Sequence, residues 1–429
     1  MRRVDTSPDA PRVVVIGAGF AGLGVVRRLG RRAAQVTLVD QHNFHTFQPF
    51  LYQVATAGLA PGDIAYPVRA IFGRSPDVTF RHGRAVHVDL DSRTIELADG
   101  AVVGYDYLAV ATGAAAEFFG VRGAADNTHP LYTLADARHL RNHILACLEA
   151  ADTHPEDYDG GAPVFVVVGG GPTGVETSGA LVELLDVSIR RDRLRLDPGR
   201  SKVVLVEAGP RLLNGFSERS GRYAEKTLAS RGVEVRLNAP VDEVTEDGVR
   251  LKSGETLRAA TVIWAGGVTV DGTLAGSLPS AHGRGGRVEL EPDLSVKGHP
   301  EVFVAGDGAA VPRGPRTPEL CPQVAPVAIQ SGEHVGRQIG RRIAGQDTAP
   351  FRYRDKGMAA TIGRRAAIAE LHRGPTLRGT VGWLGWLVLH LVYLIGFRNR
   401  VIVLINWWWR YFDWPSGPRL IMADVESEP

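Results

Sequence analysis

Two glycine triplets, each with an acid downstream, carry the residues most able to do chemistry in this chain. They are Gly17-x-Gly19-x-x-Gly22 with Asp40, and Gly169-x-Gly171-x-x-Gly174 with Glu207. In such a triplet the first glycine permits a tight turn and the second lets the backbone reach a pyrophosphate. The third lets the following helix pack on its strand. Phe20 and Ala21 occupy the variable positions of the first triplet, at the helix start where phosphate charge meets free amides. A carboxylate at the end of the next strand accepts ribose hydroxyls, the expected role of Asp40 and Glu207. Two such sites imply two dinucleotides, an arrangement suited to a bound flavin that receives hydride from a nicotinamide nucleotide. Glu207 welcomes the 2'-hydroxyl of NADH and repels the 2'-phosphate of NADPH, with Arg211 standing four residues beyond it.

The elements that must position these groups are legible around them. Val13 to Ile16 is a short aliphatic run without alternation, as in a parallel strand buried on both faces. A helix should follow through Arg32, and then a strand Val36 to Val39 ending on Asp40. The second triplet repeats this order, with a polar excursion "RRDRLRLDPGR" before the strand Lys202 to Val206 that ends on Glu207. "YDYLAVATG" and "TVIWAGG" each run from a strand into a small-residue turn, placing Thr112, Gly113, Ala265 and Gly266 close to a cofactor. "EVFVAGDGAAV" sets Gly306 and Asp307 after another buried strand. This segment resembles the two-dinucleotide flavoprotein reductases. The resemblance implies that Asp307 binds the ribityl chain of non-covalent FAD and that a helix starting near Ala325 turns the amides of Val327 and Ala328 toward the flavin. The implied fold is α/β, with two Rossmann-like dinucleotide-binding domains. The FAD-binding domain would hold residues 11–120 and 290–350, the NADH-binding domain 121–289, and a C-terminal helical membrane-anchoring segment 351–429.

Composition narrows the alternatives. At 429 residues the chain exceeds one core, and its 44% apolar and 22% charged residues are those of a folded globular protein. A formal charge of +2 argues against a nucleic-acid binder. The N-terminal MRRVDTSPDAPR lacks the apolar core of a signal peptide. Cys147 and Cys321 are far apart in sequence and form no CxxC, so neither a metal site nor a vicinal redox disulfide is expected. Both read as reduced, partly buried thiols.

Six of the seven tryptophans follow residue 380. "VGWLGWLVLHLVYLIGF" is apolar on nearly every face, as in a helix that is buried or in lipid. Gly382 to Phe397 would span roughly 24 Å at about 1.5 Å per residue, short of the roughly 30 Å of a bilayer core. Arg398 and Arg400 interrupt, and Val401 to Ile405 runs into Trp407, Trp408 and Trp409. From Arg373 to Phe412 there are five arginines and no acid. The expectation is a helical pair lying in one leaflet, its indoles at the headgroup level and its arginines toward anionic lipid. A buried hairpin or a dimer interface is the competing reading.

Five stretches, "HNFHTFQPFLYQVATAGL", "GGGPTGVETSGAL", "VFVAGDGA", "YRDKGMAATIGRRAAIAEL" and "WLVLHLVYLIGFRNRVIVLINWWWRYF", closely resemble the type II NADH dehydrogenases. These are single-subunit, non-proton-pumping NADH:quinone oxidoreductases. The resemblance implies a peripheral enzyme on the cytoplasmic face of the cell membrane, with menaquinone or ubiquinone as acceptor, and it allows a homodimer. It also implies that Glu176 takes part in quinone reduction or its protonation, that Lys356 lies near the flavin and quinone tunnel, and that Gln53 lines that region. The family pattern A-Q-x-A-x-Q-Q-G, whose glutamines lie close to the quinone ring, reads here A-P-V-A-I-Q-S-G, so Pro326 and Ser331 replace two of them while Gln330 and Gln323 remain, Gln330 with the catalytic role the resemblance implies. A sulfide:quinone oxidoreductase would need two placed catalytic cysteines. A membrane-tethered NADH-sensing flavoprotein is the other alternative.

Overall fold

The computed structural model describes residues 10–29, 34–190, 194–197, 201–270, 272–278, 283–314, 319–412 and 419–422. The expected helix end at Arg32, parts of the polar excursion, the N-terminal nine residues and Trp414 lie outside these. The chain forms two compact units, one of residues 1–45, 66–115 and 268–355, the other of 46–65, 116–267 and 356–429.

The first unit is built on a six-stranded sheet in the order Ser295–Val296, His299–Val304, Tyr107–Val110, Arg12–Ile16, Gln35–Asp40 and Val78–His82. All neighbours but the first pair run parallel. Val13, Val14 and Val15 are buried because sheet neighbours and helices cover them from every side. The register sets Ile16 opposite Val39 and Val110, and Val110 opposite Val304. The turns after these strands, at Gly17, Asp40, Ala111 and Ala305, therefore leave one sheet edge together, the carboxyl edge where such folds bind ligands.

The second unit repeats the plan in a five-stranded sheet of His129–Pro130, Thr261–Trp264, Val164–Val168, Lys202–Val206 and Val233–Arg236. Val168 pairs with Val206 and Trp264, so Gly169, Glu207 and Ala265 emerge side by side. Helix Leu134–Thr153 begins with a capping box in which Thr133 accepts from the Asp136 N–H at 3.1 Å and the Asp136 carboxylate accepts from the Thr133 N–H at 2.8 Å. Cys147 lies on this helix, while Cys321 is buried in the first unit; both are free thiols.

The tail belongs to the second unit, where its first helix packs on strand Ala366–Glu370. It is a helical pair, Gly379–Tyr393 and Phe397–Phe412. The break comes at Gly396, whose φ of +90° an L side chain rarely adopts, rather than at the arginines. Arg400 instead caps the first helix, its guanidinium donating to the carbonyls of Leu394 at 2.7 Å and Val392 at 2.9 Å.

Candidate active site

The two glycine loops share one construction. A Cβ on Gly22 would stand 1.8 Å from the Gly17 carbonyl oxygen, and one on Gly174 would stand 1.8 Å from that of Gly169. Gly17 (φ +103°) and Gly169 (φ +111°) are left-handed, and each presses against the turn of the neighbouring strand. A Cβ at Gly17 would meet the Ala111 carbonyl at 2.2 Å, and one at Gly169 the Ala265 carbonyl at 2.5 Å. The small turns containing Thr112 and Gly113, and Ala265 and Gly266, are thus small partly because a glycine loop lies against their backbone. Gly19 and Gly171 differ, since a Cβ on either would meet nothing within 4 Å. They leave open space at the start of helices Phe20–Leu29 and Pro172–Arg190, a cradle that a side chain would fill.

The acids clasp these loops. Asp40 accepts from the N–H of Ala18 at 2.5 Å and of His42 at 2.7 Å. Glu207 accepts from Gly170 and Gly209, both at 2.6 Å. Each carboxylate retains acceptor capacity for hydroxyls. Backbone donors, open glycines and a single carboxylate at each loop fit a dinucleotide's pyrophosphate and ribose.

Further residues converge on the first loop. Helices Phe20–Leu29 and Ala325–Ile343 touch backbone to backbone, a Cβ at Gly332 falling 2.1 Å from the Ala21 carbonyl. Gly306 sits between Ala21 and Ala328, and a Cβ there would lie 3.0 and 3.8 Å from theirs. Asp307 is the next residue, its carbonyl accepting from Gln323 at 3.0 Å. Ser331 is fully buried, with its hydroxyl accepting the Gly306 N–H at 3.0 Å and donating to the Ala328 carbonyl at 3.2 Å. The residue in the family's glutamine position thus holds the Asp307 turn from within the first unit. Two expectations for this helix change in detail. The N–H groups of Val327 and Ala328 both turn back to the Val324 carbonyl, at 3.0 and 3.1 Å, and Pro326 has none. What Val327 and Ala328 offer an anion is the positive helix end. Gln330 is occupied at both ends of its amide, donating to the Arg354 carbonyl and accepting the Arg354 N–H, each at 3.0 Å. It pins the backbone two residues before Lys356.

In the second unit, Glu176 is buried in helix Pro172–Arg190. Gly179 lets that helix meet strand Met358–Gly363, since a Cβ there would be 2.1 Å from the Ile362 carbonyl. The contact brings the Thr361 N–H within 3.1 Å of Glu176 Oε1. Burial pushes the carboxyl up to about 8, against the opposing pull of Thr361 and of the nearby Trp386 indole. Lys356 is exposed and donates to the Tyr393 hydroxyl at 3.0 Å. Gln53 is buried, donating to the Tyr52 hydroxyl at 2.9 Å and accepting the Trp407 indole N–H at 3.0 Å. Its side chain therefore ties the tail to helix Leu51–Ala55.

Several contributors carried no motif. Asn399, 2% exposed, donates to the carbonyls of Gly62, Asp63 and Ala65 at 3.3, 3.0 and 3.1 Å. Asn406 donates to the Asp63 carboxylate at 3.0 Å. His45 Nδ1 donates to the Ala18 carbonyl at 2.9 Å, and burial holds the ring down to about 4, so it braces the first loop as a neutral imidazole. Spacing could have hinted at two of these: Asn399, Val403, Asn406 and Trp407 recur as one helical face.

That face is turned inward, and the outward faces are apolar. Phe397 (82% exposed), Val401, Leu404, Ile405 and Trp408 (56%) line one side of the second helix, and Val381, Leu384, Val388, Leu389 and Val392 one side of the first. Of the three consecutive indoles, Trp407 is core and Trp408 is surface; the Trp409 side chain lies outside those described. Among the described residues no helix is long and apolar enough to cross a membrane, and no group of His, Cys, Asp or Glu could hold a metal.

Comparison with known proteins agrees with this construction. A family described as pyridine nucleotide-disulphide oxidoreductase matches residues 11–332. The type II NADH:quinone oxidoreductase NdhA of Mycobacterium tuberculosis is 39% identical, the match covering 96% of this chain and 90% of that protein. Among solved structures, NDH2 from Plasmodium falciparum in complex with NADH superposes with a TM-score of 0.85 at 18% identity, over 96% of this chain and 99% of that one. The sulfide:quinone oxidoreductase of Aquifex aeolicus shares the fold at a TM-score of 0.74 and 19% identity, over 94% and 95% of the two chains. With two clasped glycine loops in one chain, and with that identity along nearly its whole length, the chain belongs to the type II NADH:quinone oxidoreductases of the pyridine nucleotide-disulphide oxidoreductase family.

Proposed function

We infer that this chain passes hydride from NADH to a non-covalently held FAD and two electrons onward to a membrane quinone, without pumping protons. The observation that carries this reading is the repeated clasp, a glycine loop closed by a strand-end carboxylate, which gives each dinucleotide its own frame. Bound FAD supplies hydride-accepting and electron-releasing chemistry that no side chain here possesses. The loop from Gly17 to Gly22 and Asp40 would hold its pyrophosphate and ribose, and Asp307 its ribityl chain. The positive end of helix Ala325–Ile343 favours negative charge nearby. The loop from Gly169 to Gly174 would hold NADH, with Glu207 accepting the adenosine ribose hydroxyls.

Glu176 is assigned the proton. A carboxyl pushed up to about 8 is mostly protonated at neutral pH, so it can donate to a developing quinol oxygen and be recharged from water. Lys356, held by Tyr393, would offer a cation to the quinone oxygens. Gln330 positions the segment that carries it. The apolar outer faces of the tail helices are assigned to the lipid surface of the cell membrane, on its cytoplasmic side. A face of more than six large exposed apolar side chains would otherwise sit in water.

The test separates two half-reactions. Anaerobic NADH should bleach the visible flavin band of the purified protein, and a short-chain quinone should restore it. Bleaching without restoration would remove the quinone assignment and leave an NADH-reducible flavoprotein. Glu176→Gln should leave bleaching intact and slow restoration; equal slowing of both steps would remove Glu176 from proton delivery.

A further inference from the structure

The strand-end acid of the second loop does not act alone in what it sits beside. The loop from Glu207 to Asn214 is tightly stitched. Its Gly209 carbonyl accepts the Asn238 N–H at 2.9 Å, and the Leu213 N–H, on a residue with φ of +54°, donates to the Gly170 carbonyl at 2.8 Å. Within this frame Arg211 donates through Nε to Asn214 Oδ1 at 3.2 Å and through Nη2 to the Asn214 carbonyl at 2.9 Å. Glu207 Oε1 and Asn214 Nδ2 approach the same point, lying 3.0 and 3.2 Å from the position a Cβ on Gly209 would take. The asparagine that holds the arginine therefore borders the carboxylate expected to read the ribose.

We propose that Asn214 is a nucleotide-selecting residue: it holds Arg211 against the loop, and so withholds a guanidinium from the 2'-phosphate of NADPH. The proposal rests on the assignment of this loop to NADH. NADPH differs from NADH only by that phosphate, and an arginine near the strand-end acid is the usual means of accepting it. Guanidinium matches phosphate with paired donors, so an untethered Arg211 would oppose the selection that Glu207 enforces. Discrimination between two ligands is a difference, and it is served as well by keeping a favourable group away from the wrong one as by repelling it. Asn214 does the first and Glu207 the second. Asn214 Oδ1 fixes Nε, which orients the guanidinium plane, while the carbonyl alone would leave it free to pivot about one bond.

The experiment compares rates of anaerobic flavin reduction by NADH and by NADPH in the holoenzyme, which needs no quinone. Six variants are used: Glu207→Gln, Asn214→Ala, their double, that double with Arg211→Ala, Asn214→Asp, and Glu207→Gln with Asn214→Asp. Glu207→Gln alone should raise the NADPH/NADH ratio. The double should exceed the product of the two single effects by about fivefold, roughly the worth of one hydrogen bond. Adding Arg211→Ala should remove that excess, and Asn214→Asp, which keeps the acceptor oxygen, should show none. Strictly multiplicative single effects, or an excess that survives Arg211→Ala, would overturn the proposal. Because the ratio is internal to each variant, a general loss of folding does not mimic the expected result. Reduction of the wild type by neither nucleotide would overturn the NADH assignment itself, whereas rapid reduction by NADH with multiplicative variants would overturn only the role of Asn214.

Discussion

Removing the ionisable proton of Glu176 should change stability in a pH-dependent way whose sign its burial fixes and whose size its burial bounds. The group would ionise near 4.5 in an unfolded chain and near 8 in the folded one. The folded state therefore binds the extra proton between those values, and wild-type stability falls as pH rises through that window. Glu176→Gln keeps an oxygen to accept the Thr361 N–H and has no proton to lose. Relative to wild type it should be near neutral below pH 4.5 and gain steadily toward pH 8, then level off. The interval of about 3.5 pH units, at 1.36 kcal/mol each, sets a ceiling of about 5 kcal/mol. Relaxation of the site and entry of water lower the realised gain to about a third of that ceiling, on the order of 2 kcal/mol. For a chain of 429 residues, whose unfolding entropy is about 2.1 cal/mol/K per residue, about 2 kcal/mol moves the melting temperature by roughly 2 °C. The assay is thermal unfolding of both proteins, saturated with FAD, in matched buffers from pH 5 to 9. A melting-temperature difference that stays flat across that range would refute the buried, protonated carboxyl. A difference that shrinks with rising pH would refute its sign.

Other perturbations read other parts of the frame. Gly22→Ala should abolish the folded flavoprotein, because the new methyl would sit 1.8 Å from the Gly17 carbonyl, whereas Gly19→Ala meets nothing within 4 Å and should fold yet lose FAD; absorbance and circular dichroism of the two products check this. Ser331→Ala should leave the Gly306 N–H buried without its partner, at a cost of about 1–3 kcal/mol, and measurements of denaturant unfolding and FAD retention would show it. On the tail, Leu404→Ser with Trp408→Ser should release the protein from anionic liposomes with little change in melting temperature. Trp407→Phe should do the reverse, since its indole N–H is bonded to Gln53 inside the unit; sedimentation and melting curves separate the two.

The doubled dinucleotide frame was legible in the sequence because it depends on local rules. A parallel strand buried on both faces must be aliphatic throughout, as Val13 to Ile16 is, and a turn that approaches a phosphate must be glycine. The strand ends at Asp40 and Val206 and the helix start at Ala325 lie where they were expected. The apolar tail was legible too, though its many large side chains mask the period of its inward face.

What local pattern could not fix were partnerships between residues distant in sequence. The burial of Glu176 depends on a glycine, Gly179, that admits strand Met358–Gly363. The excursion of residues 46–65 into the second unit, with Gln53 bound to Trp407 and Asp63 to Asn406, joins positions more than 340 apart. Ser331 became a support for the Asp307 turn, and Gln330 a clamp on Arg354, only once helix and loop were brought together. Residue types and spacing pointed to where phosphate and ribose chemistry belong, because those needs are met by one glycine loop and the end of the strand that follows its helix. Which carboxyl stays protonated, which indole is core and which faces outward were decided by the tertiary structure alone, because desolvation and pairing are properties of the neighbours a residue acquires on folding.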